Sequence, residues 1–148
     1  MTLNIINYKK FKNLPKAVIF DTDNTLYAYE PAHKSALKSV FIKAENLLDI
    51  KKELFEEKFS EARNEVKNRI NNKASSHSRL LYIQRTIELL GFKTELLLTL
   101  DLEQTYWRTF LQSCKLFPNI RELLDRLNSL KIKTAIITDL TSQIQFRK

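Results

Sequence analysis

The chain contains a single glycine, Gly91, among its 148 residues, and this scarcity limits the sites it can build. A G-x-G-x-x-G dinucleotide turn and a G-x-x-x-x-G-K phosphate loop each require at least two glycines, so both are excluded. Any phosphate chemistry must instead use side chains and the free amides of helix N-termini. The single cysteine, Cys114, and two distant histidines, His33 and His77, also argue against an internal disulfide and a zinc site.

The charge balance is basic, with 25 Lys and Arg against 17 Asp and Glu and a net charge of +8. The cations are scattered and are not interleaved with aromatic residues, a pattern typical of solvated helix faces, which argues against a nucleic-acid partner. A small anionic substrate would suit this charge. The polar N-terminal region and the absence of a run of roughly 18 apolar residues argue against a signal peptide and a membrane partner, so we expect a cytoplasmic protein.

Two short apolar runs, residues 16–21 and 133–138, each end in polar residues. Each is rich in β-branched and small apolar side chains and predicts a buried strand. Because the two runs share this pattern, we expect them to lie in one parallel sheet.

The segment between the two strands has helical periodicity. It predicts helices over about 32–48, 51–71, 78–90 and 98–113, with Gly91 as a C-terminal stop, and a fifth helix over 119–130 with Pro118 in its first turn. This segment is too long to be a crossover connection alone. The prediction is a core that begins with residues 1–26, a helical cap over 27–114, and a second core part over 115–148.

The predicted sheet is small. Two strands do not make a stable sheet core, and residues 1–12, with Leu3, Ile5, Ile6, Tyr8 and Phe11, offer only a weak additional edge strand. We therefore expect the chain to be the N-terminal fragment of a longer domain. Its incomplete sheet edges predict self-association.

The sharpest chemical signal is the pair Asp21 and Asp23, directly after the first strand. Carboxylates at the carboxyl end of such a strand occupy the usual ligand position of an open α/β sheet. They can bind Mg²⁺, or act as nucleophile and general acid/base. The alternative is a turn-capping pair without catalysis. Thr138, at the end of the second strand, can donate a hydrogen bond to a phosphate oxygen or simply cap the following turn.

Residues 17–26, with the pattern hhhh-D-x-D-x-T, resemble motif I of the haloacid dehalogenase superfamily, and residues 135–138 resemble its motif II. The helical insert between them resembles the subfamily with an α-helical cap in that position. The resemblance covers residues 16–148, nearly the whole chain. It implies an α/β fold, in which a partial Rossmann-like core carries the inserted cap.

The resemblance also implies a reaction, the Mg²⁺-dependent hydrolysis of a small phosphorylated substrate through an aspartyl-phosphate. Asp21 would be the nucleophile and a metal ligand. Asp23 would be the general acid/base, with its backbone carbonyl on the metal. Thr138 would bind the transferring phosphoryl group, together with the backbone amide of Asp139.

Asn24 and Thr25 would have supporting roles in the turn, Asn24 standing where family members often have glycine. The family's motif III lysine and motif IV acids would lie beyond motif II, and Lys148 is too close to Thr138 to be that lysine. The activity of this chain alone therefore stays open. The alternatives are an inactive remnant or a binding or regulatory module, and, on charge alone, a nucleic-acid-binding domain.

In the cap, His77 and Arg79 are candidate contacts for an anionic substrate. The alternative is that Ser75 or Ser76 caps the third helix while Arg79 is solvated. Four further aromatic side chains could line a substrate cleft, but their helical spacing favours a place in the core: Tyr82, Tyr106, Trp107 and Phe110. The other side chains of this kind are predicted to be structural: His33, Phe41, Phe55, Phe59 and Cys114.

Overall fold

The computed structural model describes residues 13–71 and 73–148. The predicted edge strand of residues 1–12 lies outside these residues. The regular elements follow one another in the order β1 (Ala17–Phe20), α1 (Tyr29–Leu48), α2 (Lys52–Ile70), a 3₁₀ helix (Ala74–His77), α3 (Arg79–Leu89), α4 (Leu96–Ser113), α5 (Ile120–Ser129), β2 (Lys133–Ile136) and α6 (Ser142–Gln145).

Strands β1 and β2 pair in parallel, with Ala17 opposite Lys133 and Phe20 opposite Ile136. The ladder continues one step further, because the amide of Ile137 donates a hydrogen bond to the carbonyl of Phe20 at 2.9 Å. Parallel pairing places the carboxyl ends of both strands at the same edge. The predicted partial α/β fold, a parallel strand pair separated by a helical insert, is confirmed.

The side chains of the two strands are much more exposed than predicted. Ile19 is 65% exposed, Ile136 55% and Ile137 64%. The prediction of buried strands is therefore wrong for the part of the chain that the structure describes. The reason is that the described sheet has only these two strands, so their apolar side chains have few neighbours.

The chain divides into two compact units, which we describe separately. Of the residues described, the core unit comprises 13–29 together with Lys115–Thr138, and the helical unit comprises those of Glu30–Cys114 together with Asp139–Lys148. The sequence pattern instead predicts that residues 27–29 belong to the cap and 139–148 to the core. Within the helical unit, Nη1 of Arg147 lies 2.6 and 2.7 Å from the two carboxylate oxygens of the buried Glu103, which ties the last residues to α4.

Aromatic side chains fill the interior of the helical unit. Phe41 of α1 contacts Phe55 and Phe59 of α2, with ring centroids 5.6 and 5.8 Å apart, and Phe59 meets Tyr82 of α3 edge-on at 6.0 Å. These contacts bury large apolar surfaces, which is the main favourable term in packing helices together. The prediction that the helical aromatics form a core is confirmed for the buried side chains Phe41, Phe55, Phe59, Tyr82, Tyr106, Trp107 and Phe110.

Among the sequence signals for helix ends, the glycine stop holds and two others do not, and α1 and α4 begin earlier than predicted, at Tyr29 and Leu96. Gly91 has a φ of 87° and follows α3, and the amide of Phe92 donates to the carbonyl of Ile87 at 3.2 Å, as expected for a glycine stop. Pro118, however, precedes α5 by two residues, because Asn119 adopts a left-handed conformation at the N-cap. The predicted place of Pro118 inside the first turn is therefore wrong.

The second exception is the cap of α3. Ser78 is the N-cap residue, and its hydroxyl oxygen accepts a hydrogen bond from the amide of Leu81 at 3.4 Å. Ser75 and Ser76 lie in the 3₁₀ helix instead. That extra turn moves the start of α3 along the chain, so the alternative in which Ser75 or Ser76 caps α3 is wrong.

Among the residues that the structure describes, no helix is both long enough and apolar enough to cross a membrane.

Candidate active site

A tight turn follows β1 and carries both candidate carboxylates. The carbonyl of Thr22 accepts hydrogen bonds from the amides of Thr25 and Leu26, at 3.2 and 2.9 Å. The amide of Asn24 donates to the carbonyl of Tyr27 at 2.9 Å. These backbone bonds hold the turn in one conformation.

Asn24 makes the turn possible and also starts the next helix. Its φ of 61° lies in the left-handed region, which asparagine tolerates better than most residues. Its side-chain oxygen accepts a hydrogen bond from the amide of Tyr29, the first residue of α1, at 3.0 Å. A glycine could adopt the same backbone conformation but could not make this second bond.

Asp21 lies immediately beyond the last residue of β1 and is exposed. The hydroxyl of Thr25 donates a hydrogen bond to Oδ2 of Asp21 at 3.3 Å. This contact restricts the rotation of the carboxylate and leaves Oδ1 for other contacts. An exposed carboxylate with a fixed orientation is suited to nucleophilic attack on a bound substrate.

Asp23 is oriented by a residue that the sequence analysis missed. The hydroxyl of Tyr27 donates a short hydrogen bond to Oδ1 of Asp23. Tyr27 is only 6% exposed, so its ring is held in place. A tyrosine four residues after the second acid of such a turn is the signal that could have identified it.

Tyr27 also lies where the chain leaves the core unit. It forms an antiparallel bridge with Leu116, and the amide of Phe117 donates to the carbonyl of Leu26 at 2.9 Å. The outgoing and returning segments are therefore hydrogen-bonded to each other. We call this paired segment, residues 26–27 and 116–117, the neck.

Thr138 completes the polar edge of the strand pair. The pairing of Phe20 with Ile136 places Asp21 and Thr138 beyond the carboxyl ends of neighbouring strands. The structure thus brings Asp21, Asp23 and Thr138 to the same edge of the core unit. Asp139 groups with the helical unit, so the predicted role of its amide stays a prediction.

The oxygens on this edge suit a hard cation. The carboxylate of Asp21 and the backbone carbonyl of Asp23 are the kind of donor that Mg²⁺ prefers, with water completing the coordination shell. Within residues 13–71 and 73–148, no group of three or more His, Cys, Asp or Glu side chains forms a metal site. The donors therefore fit Mg²⁺ in kind, and the turn supplies two of them.

His77 and Arg79, the predicted cap candidates, both lie in the helical unit. Cζ of Arg79 lies 5.4 Å from the ring centroid of Tyr82 and 5.2 Å from that of Tyr106. Its Nη1 donates to the carbonyl of His77 at 2.7 Å. Arg79 is thus held against two buried rings, and the alternative in which it is solvated is wrong.

A parallel strand pair with an acidic turn at its carboxyl edge, and a helical insert after that turn, defines the class of α/β proteins in which a helical cap is inserted into the core. The chain belongs to the haloacid dehalogenase-like hydrolase family, whose family model matches residues 15–146. It is similar to a ribulose-1,5-bisphosphate 5-phosphatase of Halopiger xanaduensis (strain DSM 18323 / JCM 14033 / SH-6), with 36% identity over 133 residues. The alignment covers 89% of this chain and 56% of that relative, so the chain spans little more than half of the relative's length.

Proposed function

We propose that the protein hydrolyses a small phosphomonoester through an aspartyl-phosphate on Asp21. The observation that carries this proposal is the placement of Asp21, Asp23 and Thr138 at one edge of the parallel strand pair. Membership of the hydrolase family and similarity to a phosphatase support it. The alternative of a binding or regulatory module has no comparable observation in its favour.

In the first step, a carboxylate oxygen of Asp21 attacks phosphorus and the bond from phosphorus to the ester oxygen breaks. Asp23 gives its proton to the departing oxygen, which leaves as an alcohol. In the second step, Asp23 takes a proton from water while the water oxygen attacks phosphorus. The acyl-phosphate bond breaks, inorganic phosphate leaves, and Asp21 is restored.

The contacts of the turn suit this division of roles. Because Tyr27 donates to Oδ1 of Asp23, Oδ2 is the oxygen that carries the proton in this scheme. Because Thr25 donates to Oδ2 of Asp21, Oδ1 is the attacking atom. The Thr138 hydroxyl and the Asp139 amide would donate to the oxygens of the transferring phosphoryl group.

The carboxylate of Asp21 and the carbonyl of Asp23 would hold Mg²⁺. Bound there, Mg²⁺ would offset the repulsion between the nucleophile and the negatively charged phosphate. The side chains would still perform attack and proton transfer. A phosphorylated sugar such as ribulose 1,5-bisphosphate is the first candidate substrate, since the relative is named for that compound.

The test is hydrolysis of p-nitrophenyl phosphate and ribulose 1,5-bisphosphate by the purified 148-residue chain, with and without Mg²⁺. We expect Mg²⁺-dependent release of phosphate that falls at least about 10³-fold in Asp21→Asn, because the nucleophile is lost. Asp125→Asn, an exposed aspartate on α5, is the matched control and should change the rate less than about twofold. Unchanged hydrolysis in Asp21→Asn contradicts the proposal.

A second variant traps the intermediate. Asp23→Asn removes the group that activates water, so a phosphorylated Asp21 should accumulate and be visible by intact-protein mass spectrometry. A folded chain that shows neither turnover nor a phosphorylated form would favour an inactive remnant. The division into residues 1–26, 27–114 and 115–148, the fragment interpretation, self-association through the sheet edges and a cytoplasmic location stay predictions.

A further inference from the structure

Three cations of the helical unit lie on α2 and α3, two helices joined by the contact of Phe59 with Tyr82: Arg63 and Lys67 on α2, and Arg79 at the start of α3. We call them the cation cluster. Arg63 and Lys67 are four residues apart and lie on the same face of α2, where like charges repel. Arg63 follows Phe59 by one helical turn on that face, and the Phe59 ring meets the ring of Tyr82, against which Arg79 lies. Burial lowers the pKa of Lys67, and the charges of Arg63 and Arg79 contribute.

Two histidines border the cation cluster. Burial lowers the pKa of His33 to about 4, and the charges of Arg79 and Arg63 contribute, with Glu30 opposing. Burial also lowers the pKa of His77, with Asp139 opposing and all three cations contributing. The positive field of the cluster therefore reaches both imidazoles in spite of the two nearby carboxylates.

Arg79 is the rigid member of the cluster. Its guanidinium contacts the rings of Tyr82 and Tyr106, at 5.4 and 5.2 Å from the ring centroids. Both rings are fixed in turn, because Tyr82 donates a short hydrogen bond to the carbonyl of Ser76 and the Tyr106 hydroxyl lies 2.7 Å from Nδ1 of His33. A guanidinium held in this way loses little conformational freedom when it binds a ligand.

The other two members lack the carboxylate partners that neighbouring cations have. On the adjacent part of the bundle, Arg85 binds Glu65 at 2.8 Å and Arg69 lies 3.4 Å from the same carboxylate. In the described part of the chain, no carboxylate oxygen lies within 4 Å of the nitrogens of Arg63 or Lys67. Positive side chains held near one another without carboxylate partners repel, which lowers the free energy of unfolding. A bound anion would reduce this repulsion.

We propose that the cation cluster binds an oxyanion of the phosphate class within the helical unit. A tetrahedral oxyanion matches this set, because a guanidinium donates two parallel N–H bonds to phosphate and an ammonium adds a compact charge. This site consists of Arg63, Lys67 and Arg79 and uses neither carboxylate of the turn. It therefore stands whether or not Asp21 is a nucleophile.

The test is a titration of the isotope-labelled 148-residue chain with inorganic phosphate, followed by NMR at the ring signals of His33 and His77. Ionic strength is held constant with sodium chloride. We expect saturable shifts with a Kd of about 1 mM, an ordinary affinity for a small anion. Shifts that stay linear in phosphate concentration contradict the proposal.

Two variants distinguish binding at the cation cluster from non-specific attraction of phosphate to a positively charged protein. Arg63→Gln combined with Lys67→Gln should weaken binding at least about tenfold, because two of three cations are lost. Those two side chains are not fully buried, so the double variant should fold. Arg108→Gln, an exposed arginine on α4, is the matched control and should change the Kd less than about twofold.

Asp21→Asn distinguishes failure of this proposal from failure of the proposed hydrolase. We expect that variant to lose turnover while the phosphate-dependent histidine shifts keep the same Kd. An equal loss of binding in Asp21→Asn and in the double variant overturns a separate site in the helical unit. An equal loss in Arg108→Gln and in the double variant shows unspecific charge attraction and also overturns it.

Discussion

The hydroxyl of Tyr27 donates a hydrogen bond to Oδ1 of Asp23, four residues earlier in the chain. Tyr27 is buried and bridged to Leu116, so its hydroxyl has a fixed position. One carboxylate oxygen of Asp23 is therefore engaged by the Tyr27 hydroxyl. The result is a carboxyl group whose orientation is set before any substrate arrives.

Tyr27→Phe should lower kcat by about tenfold for an alkyl phosphate, because Asp23 loses its orientation as a proton donor. The loss should be much smaller for p-nitrophenyl phosphate, whose leaving group departs as a stable phenolate and needs no proton. Steady-state kinetics with both substrates measures the difference. Tyr29→Phe is the matched control. Equal losses on both substrates would indicate a structural role for Tyr27 and contradict positioning.

Asn24→Ala should lower the free energy of unfolding by about 1–3 kcal/mol. Alanine is strained at a φ of 61° and cannot accept the hydrogen bond from the amide of Tyr29. Asn24→Gly removes only the hydrogen bond and should cost less, about 1 kcal/mol or below. Urea denaturation of both variants measures this order, with Asn64→Ala on the exposed face of α2 as control. A glycine variant less stable than the alanine variant would contradict this account of Asn24.

The free energy of unfolding should depend on pH through His33, whose pKa is lowered to about 4, mainly by burial, from an ordinary value of 6.5. The unfolded chain binds a proton below about pH 6.5, whereas the folded chain does so only near pH 4. The contribution of the neutral His33 to the free energy of unfolding is therefore fully present above pH 6.5, and it is lost as the pH drops toward 4.

Because His33 is only partly buried, we expect a contribution of about 1–2 kcal/mol. The measurement is the difference in unfolding free energy between the natural chain and His33→Gln, followed from pH 7.5 to pH 4, roughly the range of this linkage. Glutamine can still bond the Tyr106 hydroxyl but does not titrate. If the difference in unfolding free energy between the two proteins stays constant from pH 7.5 to pH 4, the lowered pKa of His33 is contradicted.

Arg147→Gln should lower the free energy of unfolding by about 1–3 kcal/mol. Glu103 is buried, and loss of its partner leaves a desolvated carboxylate without an opposite charge. Lys58→Gln, which removes an exposed pair with Glu61, should lower the free energy of unfolding much less, because solvent screens that pair. Thermal denaturation compares the two variants, and equal effects would show that the Glu103 pair is no stronger than a surface pair.

Local patterns in the sequence were sufficient to predict the strand pair and the helical insert. The apolar runs that end at Asp21 and Thr138 identify the strands, and the helical periodicity between them identifies the insert. The role of Asn24 in the turn could be interpreted in the same way. Its left-handed backbone and its side-chain hydrogen bond involve only residues within five positions of it.

The sequence could not predict features that depend on the path of an irregular turn or on packing between distant segments. Ser78 caps α3 because a 3₁₀ turn precedes it, and Arg79 is held by rings from two different helices. The exposure of Ile19 follows from how many strands lie beside β1, which no local pattern contains.

The neck fixes the two points at which the inserted helices join the core unit. Its hydrogen bonds join the two points at which the inserted helices begin and end, so the distance between these points is set within the core unit. Lengthening or replacing what lies between them changes the closure entropy of the loop only slowly. The inserted segment can therefore be lengthened or exchanged without displacing the turn that carries the two aspartates.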